Sequence, residues 1–286
     1  MTTPSATALA PRPRAPRPQA GLRRVLVLGG HRGLMEVLVF FRGTETVVFS
    51  LLFPVFALII FSSMFRGDIT PGVSYSDYLV PGVIATGLMV TGFQTLAISI
   101  AIERDRGALK RLAATPMPRS SYFIGKIVMV LVTSLVETGV LLAVSMIVYG
   151  THLPRGSAGW ITFAWVGLLG TTACTLCGIA LSSVPRSGRA APAVVAPFAF
   201  VLQFISGAAL VFTNLPSWLQ WIASVFPLKW MCQGLRSVLL PASFASHEAA
   251  GSWQLGWVAV VLSAWVVVGL LLCTMTFRWT KTRNGG

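Results

Sequence analysis

Six long stretches of this chain lack the charges that a water-exposed segment carries, and that feature narrows its fold more than any other. Val47 to Phe65, Leu79 to Ile102, Ile127 to Tyr149, Trp160 to Val184, Ala190 to Thr213 and Trp253 to Phe277 contain between them a single Asp, Glu, Lys or Arg, Glu137. Crossing about 30 Å of hydrocarbon takes roughly 20 helical residues, and each stretch is about that long. A backbone in hydrocarbon must satisfy its own hydrogen bonds, so uninterrupted apolar runs of this length take the helical form. The fold expected is an all-α membrane protein with six transmembrane helices. Pro54, Pro192 and Pro197 fall within or near the start of spans, where they predict kinks, because neighbouring helices can satisfy the freed backbone groups. Composition agrees: 10% of the 286 residues are charged, against about 25% in a soluble domain.

The net charge of +14 would point to nucleic acid in a soluble protein. Here the basic residues sit between and beyond the apolar runs, where anionic headgroups and the rules of insertion account for them, and no nucleic-acid partner is expected. With the N-terminus inside, the inner segments hold 7, 6, 2 and 3 Lys or Arg, whereas the outer ones hold only Arg66, Arg155, Lys229 and Arg236. Positive charge is retained on the cytoplasmic side, so both termini are expected there.

Outside the spans the chain changes character three times. Residues 1–20 carry five prolines and three arginines with no apolar run; they read as a disordered tail rather than a signal peptide. Residues 21–43 mix apolar and basic side chains, with Leu34, Val37, Leu38 and Phe41 on one helical face. That pattern predicts an amphipathic helix along the inner membrane surface, weakened near its start by Gly29, Gly30 and Gly33. The transmembrane domain proper is residues 44–286. Within it, the outer segment 214–252 is dense in Leu, Trp, Val and Phe yet interrupted by Pro216, Pro227, Lys229, Arg236 and Pro241. Two short helices that dip into the outer leaflet or cap the bundle fit this mixture, since such apolar density is not left in water.

The inner segment 103–119 carries the clearest mechanical signature. A charged turn, Glu103, Arg104, Asp105 and Arg106, leads into a stretch with Leu109 and Leu112 on one face and Lys110 and Arg111 on another, before Thr115, Pro116 and Pro118 interrupt it. A short amphipathic helix stopped by proline makes a compact knob. Such a knob can seat in a groove of a partner, or serve as a plain interfacial connector.

In this segment the chain resembles the ABC-2 type exporter permeases. Glu103, Gly107, Leu109, Leu112, Thr115, Pro116, Gly125 and Lys126 follow that family's order after its second span, and Leu215, Pro216, Trp218, Pro227 and Arg236 resemble its pattern before the last span. Ala108, Lys110 and Phe226 depart from the usual Thr, acidic residue and Asn. The resemblance implies that residues 21–43 are the connecting helix, that Glu103, Arg104, Asp105, Arg106, Gly107, Leu109, Leu112, Thr115 and Pro116 form the coupling region, and that segment 214–252 forms extracellular re-entrant helices between spans 5 and 6. It further implies a bacterial plasma-membrane exporter of the drug- and antibiotic-resistance type. The partners would be a separate ATP-binding cassette ATPase, which holds ATP and Mg, a second permease copy or related chain, and membrane lipids. The chain has no G-x-x-x-x-G-K-[ST] loop, and no cofactor or enzymatic activity of its own is expected.

Glu137 is the one ionisable residue deep in a span, where a charge costs about 3 kcal/mol on insertion scales. Two roles stand open: contact with cargo along a pathway shared with Gln94 and Gln203, or a protonated carboxyl bonded to a neighbouring helix near those residues. Gly167, Gly170, Thr171, Thr172, Ala173, Cys174, Cys177, Gly178 and Ala180 make the fourth span rich in small residues, which permits close helix packing. The Cys174-x-x-Cys177 pair reads as packing in this apolar setting, and His31, His152 and His247 are too scattered to suggest a metal site. Alternatives to export are an intramembrane enzyme, which would need a second catalytic group at the depth of Glu137, and a stand-alone secondary carrier, which would favour more intramembrane polar residues and internal repeats.

Overall fold

The computed structural model describes residues 21–65, 67–115 and 117–277. The expected disordered tail, Arg66, Pro116 of the coupling region, and the basic residues Arg278, Lys281 and Arg283 lie outside the described residues. The helices, in chain order, are α1 (Leu22–Arg42), α2 (Thr44–Met64), α3 (Tyr75–Met89), α4 (Leu96–Asp105), α5 (Ala108–Ala114), α6 (Arg119–Tyr149), α7 (Gly156–Leu181), α8 (Ala191–Ile205), α9 (Ser217–Val225), α10 (Pro227–Leu239) and α11 (Leu255–Thr276). A small antiparallel ribbon, β1 (Asp68–Thr70) with β2 (Val73–Ser74), joins α2 to α3.

Among the described residues, five helices are long and apolar enough to cross a membrane: α2, the continuous run Tyr75–Asp105, α6, α7 and α11. Their outward faces suit hydrocarbon rather than water. On α2, Phe49 and Phe53 are 72% and 64% exposed, and on α11 Leu271 is 57% exposed; large apolar patches of this kind mark a surface that meets lipid or protein. The chain folds as a multi-pass helical membrane protein.

The expected fifth span, 190–213, is where hydropathy and structure part. Helix α8 has only 15 residues, about 22 Å at 1.5 Å per residue, and stops at Ser206. Gly207 then adopts a positive φ of 77°, which turns the chain out of the helix. Two tyrosines of α3 satisfy the backbone beyond the break. The Tyr75 hydroxyl donates to the Ala209 carbonyl at 2.6 Å, and the Tyr78 hydroxyl accepts from Phe212 N–H at 3.0 Å. Hydropathy runs on through this break because the residues after it are still apolar; it has no means of sensing that their hydrogen bonds leave the helix.

The second span also departs from a regular helix, with a π-helical segment at Val90–Thr95 between α3 and α4. Such bulges are frequent at functional positions. Here Gly92 and Phe93 lie against α7 so closely that a Cβ on Gly178 would sit 2.7 Å from their carbonyl oxygens. The small residues of α7 act as expected: this helix packs on α3, the π segment, α4, α6, α10 and α11.

Helix α1 keeps its apolar stripe off the bundle. Leu34, Leu38 and Phe41 are exposed, and Val37 is half-buried, so the apolar stripe is not the packing face. Instead, α1 lies along the first turns of α6 through Gly29 and Gly33, where an added Cβ would meet Ile124 at 2.6 Å and Val128 at 2.6 Å. The glycines that weaken the helix intrinsically are what allow this close approach. Two glycines of α1 three residues apart should therefore respond with opposite signs. Gly30→Ala, whose Cβ meets nothing within 4 Å, should raise stability by about 0.5–1 kcal/mol through helix propensity. Gly33→Ala should lower it by about 1–3 kcal/mol through overpacking. Thermal unfolding in detergent reads both.

Candidate functional site

Two buried ion clusters occupy opposite ends of the bundle, and a carboxyl lies between them. The first is built where α1, α4 and α6 meet. Lys126, on α6 and fully buried, donates to Glu36 of α1 at 3.0 Å and pairs with Glu103 at the end of α4. Glu103 also accepts from the Tyr122 hydroxyl at 3.0 Å, and Glu36 pairs with Arg32 at 2.5 Å. Two carboxylates thus share one buried ammonium, with a second cation at the edge. Removing water from such charges is tolerable only where each is paired and hydrogen-bonded.

The next two residues reach elsewhere. The Arg104 guanidinium donates to the Pro185 carbonyl at 2.9 Å, and the Asp105 carboxylate accepts from Gly188 N–H at 3.0 Å. Glu103, Arg104 and Asp105 therefore bind α4 to α6 and to two points of the α7–α8 connection. Beyond them Gly107 has φ 74°, a left-handed turn that suits glycine, and redirects the chain into α5.

The knob is real and has two faces. Leu109 is fully buried among Leu96, Ile100, Tyr122, Met129, Val130 and Ile179, with Leu112 packed partly against the same cluster. Arg106, Lys110, Arg111 and Thr115 are exposed. The two leucines thus hold the knob to its own bundle, and the surface it presents outward is basic.

At the other end Arg236 of α10 is fully buried, with its Nε 2.6 Å from Glu248 and its Nη1 donating to the Gly207 carbonyl at 3.2 Å. Its guanidinium lies over the Tyr78 ring, 4.8 Å from the centroid, a cation–π arrangement. One side chain therefore ties α10 to the segment after it, to the break after α8 and to α3. The other expected residues of this motif play separate parts. Pro216 immediately precedes α9 and Pro227 opens α10, consistent with the preference of proline for helix starts. Leu215 is half-buried, and Trp218 is exposed.

Glu137 is buried on α6 and accepts a hydrogen bond from Thr91 of the π segment at 2.9 Å. Its carboxyl lies against Gly87, where a Cβ would be 2.2 Å away. Its partner is Thr91, one of the residues of the π segment that also holds Gln94; Gln203 lies on α8. Among the described residues no hydrogen bond joins Glu137 to Gln94 or Gln203.

Glu36, Tyr122, Tyr78, Glu248 and Thr91 were missed in the sequence reading. Lys126 was seen only as a motif residue. One signal was available: Lys126 and Glu103 both border apolar runs, where an ion needs a partner, although Glu36 lies 90 residues from Lys126.

Comparison with known proteins agrees with this geometry. The model of the ABC-2 type transporter family matches residues 34–240, from within α1 to just past α10. YbhR of Escherichia coli K12, named a probable multidrug ABC transporter permease, is 26% identical over 200 residues, covering 70% of this chain and 52% of YbhR. The alignment thus spans about half the length of that relative. The transport permease ycf38 of Porphyra purpurea is 25% identical over 202 residues, 69% of this chain and 68% of its own. ABC transporter G family member 20 of Dictyostelium discoideum is 23% identical over 215 residues, 75% of this chain and 28% of that protein. With a family match over most of its length, and with both motif regions built into buried ion clusters, this chain belongs to the ABC-2 type transporter family.

Proposed function

We propose that the chain is the permease subunit of an ABC exporter in a bacterial plasma membrane, crossing it six times with both termini in the cytoplasm. The fifth crossing in chain order would be made by α8 and the sixth by α11, with α9 and α10 as re-entrant helices in the outer leaflet between them. A separate nucleotide-binding subunit, carrying ATP and Mg, would dock on the knob. Two permeases, identical or related, would carry an amphipathic drug-like, lipid or glycolipid cargo outward between them. The names of the relatives, a multidrug permease among them, support this class of cargo.

The carrying observation is the construction of the knob. Its leucines and the Glu103–Arg104–Asp105 contacts fasten it to α4, α6 and the α7–α8 connection, so a push on α5 reaches three elements at once. Its free face is Arg106, Lys110 and Arg111, which suits an acidic rim on a partner.

Reversal of these three charges to Glu tests the docking. Exposed pairs contribute about 0.2–1 kcal/mol each, so the triple variant should bind the co-expressed ATPase about 10-fold more weakly, or beyond, at 1.4 kcal/mol per decade. The defect should shrink as ionic strength rises and charges are screened. Unchanged co-purification and ATPase stimulation in low salt would remove the knob from the interface.

A further inference from the structure

An apolar cavity of about 460 Å³ opens between α8 and α11. It exists because α8 packs on α4, the π segment, α9 and α10, whereas α11 packs on α7 and α10. The gap is bridged at one end by Trp265 of α11, whose indole N–H donates to the Val225 carbonyl at the end of α9 at 2.7 Å, with its ring stacked on Phe226. Met89, Cys174 and Leu228 line the cavity and are buried; Phe198, Val201 and Ile222 also line it but are 59%, 55% and 45% exposed. The space is thus closed by the bundle on one side and open laterally, toward the surface that meets hydrocarbon.

We infer that this cavity is a lipid-tail site, which takes one saturated acyl chain of a phospholipid from the leaflet beside α9. Three observations select that occupant. First, the lining has no charge, amide or hydroxyl. Two cysteine thiols are weak donors, and the only donor of Trp265 is already engaged. A polar ligand atom would lose its water with nothing in return, a penalty of roughly 2–7 kcal/mol, whereas a methylene chain has no such atom. Second, the size fits: a water takes about 30 Å³ in the liquid, a methylene is no larger, and 460 Å³ therefore accepts about fifteen such units. Third, the depth fits. Trp218, Trp221 and Trp257 are 61%, 78% and 59% exposed and form an aromatic belt of the kind that marks a membrane interface. Trp265 lies eight residues along α11 from Trp257, about 12 Å at 1.5 Å per residue. The cavity therefore sits beneath the belt, at the level of acyl chains rather than headgroups.

The site belongs to the permease alone, and its test needs no ATPase. The full-length protein is reconstituted in nanodiscs with a phospholipid carrying a diazirine near the end of one acyl chain, irradiated, and mapped by mass spectrometry. Adducts are expected on the buried lining, in the peptides of Cys174 and Leu228, in preference to lipid-facing positions such as Phe53 and Leu271. Val201→Trp, which fills the mouth from an exposed position, should abolish the Cys174 and Leu228 adducts and leave those on Phe53 and Leu271 unchanged. Labelling that is uniform over all exposed apolar faces, or that never reaches Cys174 and Leu228, would overturn the inference. So would Val201→Cys forming a disulfide between two copies in place of lipid adducts, since the cavity would then be an interface. In every case the knob-docking result stands apart.

Discussion

Arg236→Met should bring down the end of the bundle that carries α9 and α10, with a loss of roughly 3–5 kcal/mol, the range for breaking a buried ion pair from one side. The reason is what remains. Glu248, with its side chain only 3% exposed, would keep a carboxylate with no other cation among the described residues within ion-pair distance, and the Gly207 carbonyl would lose its donor where the chain has already left the helix. The expected result is a large fall in the thermal midpoint in detergent, with aggregated material in size-exclusion chromatography. The double replacement Arg236→Met with Glu248→Met should recover most of the loss, because two apolar side chains leave no stranded charge. If the single variant unfolds no earlier than the parent, the pair does not hold this end together. Recovery in the double variant, by contrast, would locate the effect in the ion pair rather than in lost packing of α10.

Lys126→Met should act differently, because its cluster joins α1, α4 and α6 beside the knob. Without the ammonium, Glu36 and Glu103 face each other in a buried site. Glu36 retains Arg32 at 2.5 Å and Glu103 retains the Tyr122 hydroxyl at 3.0 Å, so the protein should insert and fold, with a loss of about 3 kcal/mol at the lower edge of the buried-pair range. The contact between α1 and α4 through α6 should be broken. In reconstituted vesicles with the proposed ATPase partner, ATP turnover should continue while the proposed export falls at least about 10-fold, equivalent to 1.4 kcal/mol of lost coupling. Lys126→Arg should preserve export, since it keeps a cation between the carboxylates. Lys126→Met combined with Glu103→Gln should regain stability by removing the unpaired charge, but not coupling. Export that survives in both methionine variants would separate this cluster from transmission.

Legibility differed by kind of feature. Five of the spans, the knob and the two short helices after residue 214 were visible because hydropathy, proline and charge are properties of neighbouring residues, and a helix in hydrocarbon has few alternatives. The two faces of the knob were visible too, from Leu109 and Leu112 against Lys110 and Arg111, although not which face meets the bundle. Gly29 and Gly33 were read for their intrinsic effect on a helix, and the structure uses them for contact with α6. Glu137 stood out as a costly charge within a span, with a role in a pathway or in a bond to a neighbouring helix both open, yet nothing along the chain selects Thr91, since that choice depends on how α6 lies beside the π segment.

The amino-acid order by itself determined that hydrocarbon surrounds this protein, where five of the spans run, and that charge gathers at Glu103 to Arg111 and at Arg236. Only the tertiary structure decided that Lys126 would stand between Glu36 and Glu103, that Arg236 would find Glu248, Gly207 and Tyr78, and that α8 would stop at Ser206. Hydropathy sums over adjacent residues and survives any packing, whereas an ion pair or a broken helix is stable only when distant segments supply the partner its buried polar groups require.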